Sequence, residues 1–314
     1  MTLPVFWELV EARTKLASIL PFLVGTLFAA LYFQQFNGIN TAIFFVAMLL
    51  FDMTTTAINN LMDYHKAKDQ TYRDQTNIVG RAHLNPTGVA ALIGVMLLIA
   101  TALGLILVWR TDWLLLLIGA VCFGIGIFYT FGPLPLSRLP LGEVFSGVTM
   151  GLAIPFIAIY VNVDAAKLLN LTITWPRFDL SGDFVALILI GLTCVPCMAT
   201  IANVMLANNL SDYDEDVQNG RTTLPMYLGK KWGLVLYQFL AYVGYPVIVL
   251  VVALGGLPVV TLLMLISLPW VIKNTNRFVA KQVKAETFVT AVRTLMIENG
   301  SLILAMLIGW GLPG

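Results

Sequence analysis

Apolar runs bounded by charged residues dominate the chain. Uncharged or nearly uncharged stretches occur at 16–33, 41–60, 87–109, 113–130, 143–162, 184–207, 233–254, 258–272 and 293–312. Most approach the ~20 residues that a helix needs to cross the hydrocarbon core, and the pattern predicts nine transmembrane helices. Residues 232–272 carry no charge, but Gly255-Gly256-Leu257-Pro258 is a turn signal that divides them into two spans, the eighth of them short. The expected fold class is therefore all-α: a polytopic membrane protein, one integral-membrane domain over residues 1–314.

Composition agrees. The chain is 59% hydrophobic and only 11% charged, whereas soluble domains carry about a quarter charged residues. Its 18 Lys and Arg against 17 Asp and Glu give a net charge of +1, which excludes bulk attraction to nucleic acid. With a cytoplasmic N-terminus, the cytoplasmic segments collect all of the Lys and Arg except Arg110, Lys167 and Arg177. Positive charge of this bias fixes orientation, so a multi-pass cell-membrane protein with its C-terminus outside is expected. Glu8 and Glu11 precede the first basic residues and no small-residue cleavage pattern follows, so no removed signal peptide is expected.

Two segments repeat a pattern: Asn59-Asn60-Leu61-Met62-Asp63-Tyr64 and Asn208-Asn209-Leu210-Ser211-Asp212-Tyr213. Each ends an apolar span, the second and the sixth, on the predicted cytoplasmic side. Each continues into further acid, Asp69 and Asp74 in one loop and Asp214, Glu215 and Asp216 in the other, and then into a Gly-Arg pair, Gly80-Arg81 and Gly220-Arg221. The duplication implies two related halves facing a shared site. Helical positions four apart share a face, so Asn59 pairs with Asp63, Asn208 with Asp212, and Asp212 with Asp216. Carboxylate and amide oxygens are hard ligands suited to Mg²⁺, which binds a few carboxylates together with substrate phosphate oxygens. Arg and Lys add counter-charge for a polyanion. A metal-bridged diphosphate site at the membrane surface follows. Acids at helix ends can also serve topology alone, but charge near a span costs up to about 2.5–3.5 kcal/mol at its centre, and the pattern occurs twice on one side.

The first copy, Asn59 to Asp63 continuing to Asp69, resembles the first acidic motif of the UbiA-type intramembrane aromatic prenyltransferases, and Asp212-Tyr213-Asp214-Glu215-Asp216 resembles their second. Asn208-Asn209 and Gly220 to Leu224 are similar to the branch that prenylates 1,4-dihydroxy-2-naphthoate. Trp7-Glu8-Leu9 through Pro21, Tyr129 to Pro133 and Gly142 to Phe145 extend the likeness over most of the chain. One departure is Asn60, where the family usually has its first Asp. The resemblance implies transfer of a polyprenyl chain from an allylic diphosphate to the naphthoate, with loss of diphosphate and CO₂ and formation of a demethylmenaquinone. It implies Mg²⁺ held by Asp63, Asp69, Asp212 and Asp216 with Asn59 and Asn208 assisting. Lys66, Arg73, Arg81 and Arg221 are candidates for the diphosphate; Asn60, Asn209 and Glu143 are further substrate-binding candidates. Tyr64, Tyr129 and Tyr213 are candidates for stabilising the allylic cation or orienting the ring, although interfacial tyrosines are common. The implied partners are a polyprenyl diphosphate, an aromatic acceptor and the bilayer; 4-hydroxybenzoate is an alternative acceptor.

Asp52 lies three turns before Asp63 on the same face, where it can line a deeper pocket or make a buried interhelical hydrogen bond. Glu298-Asn299 can join helices in the same way. His65 and His83 lack a third zinc-type ligand, and Cys194 and Cys197 lie in an apolar helix rather than a redox fold. Residues 274–292 are expected as a basic surface helix, and 163–183 as an outer loop. A secondary transporter, the rival reading, would place its polar site near the bilayer midplane rather than at the ends of spans.

Overall fold

The computed structural model describes the chain apart from residues 68, 131–139, 219–221 and 313–314 and the side chains at 129, 130, 215 and 218. A short helix α1 (Leu3–Leu9) and a 3₁₀ turn (Ala12–Lys15) lead into α2 (Leu16–Tyr32) and α3 (Gly38–Lys66). A π-helical turn (Tyr72–Thr76) and α4 (Ile78–Arg81) precede α5 (Pro86–Arg110) and α6 (Trp113–Thr130). The next crossing is composite: α7 (Gly142–Val148), a π-helical stretch (Thr149–Ala153) and α8 (Ile154–Tyr160). After α9 (Ala165–Leu168) and a hairpin of β1 (Leu169–Thr174) and β2 (Arg177–Gly182) come α10 (Phe184–Ser211) and α11 (Tyr213–Gln218). Then α12 (Leu224–Tyr242) runs into α13 (Gly244–Ala253), a 3₁₀ segment (Val259–Ser267) into α14 (Leu268–Ala280), and α15 (Phe288–Gly311) closes the chain.

Eight described helices are long and apolar enough to span a membrane, and α6 adds a shorter apolar stretch, Trp113–Phe128. Sequence marks their starts: Asn37, Asn85 and Asp183 accept hydrogen bonds from the first-turn amides of α3, α5 and α10, satisfying donors that a helix leaves unpaired.

The first repeat falls at the end of the second span, as expected, in the last turns of α3. α3 and α10 have 29 and 28 residues, so at 1.5 Å per residue they are over 40 Å long and outreach the ~30 Å hydrocarbon core. Three expectations change. The eighth span is not short, and no separate surface helix occupies 274–292. The crossing runs Val259–Ala280, because Val271, Thr275 and Phe278 continue a buried stripe and Phe278 packs on Tyr237 with ring centroids 4.5 Å apart. Finally, 163–183 is a short helix and an antiparallel hairpin.

α2 packs against α8 and α15, and α10 against α7, α12 and α15. The largest apolar core gathers Phe28, Ile190, Ile248, Met264 and Leu302. Two smaller cores sit by the repeats, one containing Leu9, Ala57, Leu61, Ile78 and Val79, the other Leu206, Leu210, Tyr237 and Phe278. Helices in lipid gain stability by close packing, and Gly25 makes such an approach: a Cβ there would strike the backbone of Pro155. Gly94 has open space around it. Gly25→Val should therefore lower the melting temperature in detergent, an overpacking cost of about 1–3 kcal/mol, while Gly94→Val should leave it unchanged; equal melting of the two would refute the close contact.

Candidate active site

The leucine of each repeat sets its geometry. Leu61 and Leu210 are 5% and 1% exposed, each in one of the two small cores. Residues two positions away on a helix are rotated about 200°, so burying Leu61 turns Asn59 and Asp63 outward, and burying Leu210 does the same for Asn208 and Asp212. Both outward faces meet one cavity of about 760 Å³, lined by Asn59 from α3 and Asn208 from α10. On α3 the lining stripe runs Phe44, Ala47, Met48, Phe51, Asp52, Thr55, Thr56, Asn59, and on α10 Ile201, Val204, Met205, Asn208. The three-and-four spacing continues to Asp63 and Asp212, one turn beyond. From Asn59 to Phe44 the wall descends about 22 Å of helix from polar to apolar. Phe51 and Phe123, both lining it, stack at 4.1 Å.

Asn60, grouped by sequence with the substrate-binding residues, belongs instead to the scaffold. Its amide donates to the Leu9 carbonyl at 2.9 Å, and its own carbonyl accepts from Asn77 at 2.9 Å. A missing charge at this position therefore does not reach the cavity. Tyr64 accepts from Arg73 at 3.3 Å with the guanidinium 4.9 Å from its ring centroid, and this hydrogen bond raises the Arg73 pKa from its ordinary value. Asp69 is exposed and accepts from the Thr71 amide; Lys66 is exposed at the end of α3. Arg81 pairs with Glu8. Gly80 lies so close to the Arg73 carbonyl that a Cβ would collide with it, which gives the glycine of the first Gly-Arg pair a structural reason.

In the second copy, Asn209 faces away from the cavity and donates to Glu143 at 2.8 Å, both side chains being buried. These two expected substrate contacts thus hold α10 to α7. Asp212 caps α10 in a non-helical conformation and accepts from Lys284 at 2.6 Å. Asp216 follows one turn on, its amide donating to the Asp212 carbonyl at 2.8 Å, but its side chain is buried and accepts from Thr223 at 3.4 Å. Tyr213 is half-buried at the start of α11. Arg221 and the side chain of Tyr129 lie outside the described residues.

Sequence reasoning missed three groups. Lys15, 5% exposed, pairs with Asp52 at 2.6 Å and donates to Thr56 at 2.7 Å, while Ser18 donates to Asp52 at 2.5 Å; all four line the cavity. Asp52 thus both lines the pocket and bonds between helices. Lys284 was hidden among charges assigned to a surface helix. Phe51 and Phe123 are aromatics of the cavity wall, and Phe51's two-turn spacing from Asn59 was a usable signal.

Among the described residues no three His, Cys, Asp or Glu side chains cluster as a ready-made metal cage. The donor set still fits a hard cation that keeps waters and takes substrate oxygens, because Asn59 and Asn208, one from each repeat, line the same cavity with an aspartate one helical turn beyond each.

A model of the UbiA prenyltransferase family matches residues 18–297. The chain is 27% identical over 297 residues to a 1,4-dihydroxy-2-naphthoate octaprenyltransferase of Bacillus subtilis, covering 92% of this chain and 87% of that one. In fold it is similar to a UbiA homolog from Aeropyrum pernix, with TM-score 0.68 and 17% identity over 94% of this chain and 98% of that one. It is also similar to a UbiA homolog from Archaeoglobus fulgidus bound to GPP and Mg²⁺, with TM-score 0.63 and 12% identity over 98% and 100%.

Removing one partner of a buried ion pair leaves the other uncompensated, at about 3–5 kcal/mol. Lys15→Met should therefore destabilise the protein by that order in thermal unfolding, and Lys15→Met combined with Asp52→Leu should recover much of the loss. Additive losses would show that the pair is not coupled.

Proposed function

The chain belongs to the UbiA prenyltransferase family, and from that premise we propose that it transfers a polyprenyl chain from an allylic diphosphate to 1,4-dihydroxy-2-naphthoate. The observation that carries this reading is the convergence of Asn59 and Asn208, one from each repeat, on one cavity that turns apolar with depth. The naphthoate acceptor is supported by the Bacillus subtilis relative and by the likeness of the second motif.

The diphosphate sits at the polar end, with Asp63 and Asp212 and the amides of Asn59 and Asn208 as the residues that hold Mg²⁺. Bound Mg²⁺ would neutralise the diphosphate as it departs. Asp69 and Asp216 flank this set, and Lys66, Arg73 and Lys284 supply further positive charge near the leaving group. The allylic C–O bond breaks with its electron pair going to diphosphate. The apolar wall keeps water from the carbocation left behind, and the faces of Phe51 and Phe123 stabilise positive charge. The electron-rich ring forms the new C–C bond, and the ring carboxylate leaves as CO₂. The product is a prenylated naphthalenediol, the quinol form of a demethylmenaquinone, so no oxidant is consumed. The polyprenyl tail extends along the α3 wall. The motif end of the bundle faces the cytoplasm of the cell membrane, in keeping with the bias of Lys and Arg.

Purified protein given an allylic diphosphate, carboxyl-labelled dihydroxynaphthoate and Mg²⁺ should yield prenylated product and labelled CO₂, both lost with EDTA. Asp63→Asn and Asp212→Asn should each lower turnover by roughly 10²–10³-fold, the scale of losing one electrostatic stabiliser, with melting temperature maintained. Product only with 4-hydroxybenzoate would overturn the acceptor; wild-type turnover in both variants would overturn the site.

A further inference from the structure

The hairpin between α9 and α10 sorts its side chains by chemistry. Leu171 pairs with Leu180 and Ile173 with Phe178, whereas Asn170, Thr172 and Thr174 pair with Ser181, Asp179 and Arg177. Opposed residues of an antiparallel pair point to the same side, and neighbours along a strand to opposite sides. One face is thus wholly apolar and the other wholly polar. Towards the turn the apolar face is uncovered: Phe178 is 77% exposed, and Trp175 at the turn 94%, with Ile173 and Leu180 also exposed.

The base of the hairpin is fixed to the bundle. The Asp183 amide donates to the Leu168 carbonyl at 3.0 Å, and the Tyr160 hydroxyl to the Leu169 carbonyl at 3.1 Å and to Asp112 at 2.6 Å. The chain then enters α10 through Phe184 and Val185, exposed apolar residues at the start of a membrane-spanning helix. Exposed Trp109 and Trp113 flank the neighbouring α5–α6 turn, and tryptophan concentrates at the edge of the bilayer. The uncovered face therefore continues the lipid-facing surface of the spans.

We propose that this hairpin is a membrane-interface anchor at the end of the bundle opposite the repeats, its apolar face and Trp175 seated in lipid and its polar face in water. An isolated two-stranded hairpin is marginal in water, and a lipid surface supplies the cover that the described residues do not. The inference does not depend on the catalysed reaction.

Nitroxide accessibility tests it. In full-length protein with Cys122→Ala, reconstituted into phosphatidylcholine–phosphatidylglycerol vesicles, spin labels are placed at Phe178→Cys and, on the opposite face, Asp179→Cys. The 178 label should relax several-fold more with oxygen and several-fold less with a water-soluble nickel chelate than the 179 label. Leu180→Cys and Ser181→Cys form a second pair with the same expectation, should the first pair fail to fold. Equal nickel access on both faces would overturn the anchor. So would a 178 label shielded from both reagents, with spin–spin broadening then marking a second copy of the chain as the occupant.

Discussion

Burial of two leucines, Leu61 and Leu210, governs the polar site. Each is the inward-pointing residue of an Asn-Asn-Leu-x-Asp-Tyr segment, and each fills a different apolar core. With those knobs in place, helical geometry leaves Asn59 and Asp63, and Asn208 and Asp212, facing the other way. The second asparagine of each repeat is turned off the cavity and taken up by the scaffold: Asn60 ties α3 to the N-terminal segment and Asn209 ties α10 to Glu143 on α7. One six-residue pattern thus contains an anchor, a brace and a cavity-directed face, and its repetition brings two such faces to one cavity.

The interior away from the motifs is held by polar bonds between helices as well as by apolar packing. Lys15, Ser18 and Thr56 surround Asp52 on the cavity wall. Asn299 donates to Thr200 and accepts from Cys197, joining α15 to α10. Lipid offers such groups no water, so partners within the bundle satisfy them. The consequence is a cavity with fixed polar and apolar ends, suited to a substrate that is a polyanion at one end and a hydrocarbon at the other.

Much of this was legible in the sequence because it is local. Charge-free runs marked the spans, the i, i+4 relation paired Asn59 with Asp63 and Asn208 with Asp212, and the repeat pointed to a shared site. What escaped depends on contacts between distant segments. Nothing near Lys284 announces that it meets Asp212, and Lys15 and Asp52 are neighbours only once α2 packs beside α3. The continuation of α14 past residue 272 was obscured by Lys273 and Arg277, whose charges masked a buried stripe of Val271, Thr275 and Phe278. The hairpin's alternation was present at 169–182, but it was read as loop because it contains no long apolar run of its own and lies between two spans.

The central claim is that both repeats serve one metal–diphosphate site. A structure of the protein with a non-hydrolysable allylic thiolodiphosphate and Mn²⁺ in place of Mg²⁺ tests it most directly, since the anomalous signal of Mn²⁺ locates the metal. The account predicts metal and diphosphate at the polar end of the cavity, with oxygen ligands from both Asp63 and Asp212 at about 2.0–2.2 Å, near the Mg²⁺ distance. Metal bound by one repeat alone, or diphosphate lodged away from Asn59 and Asn208, would contradict it.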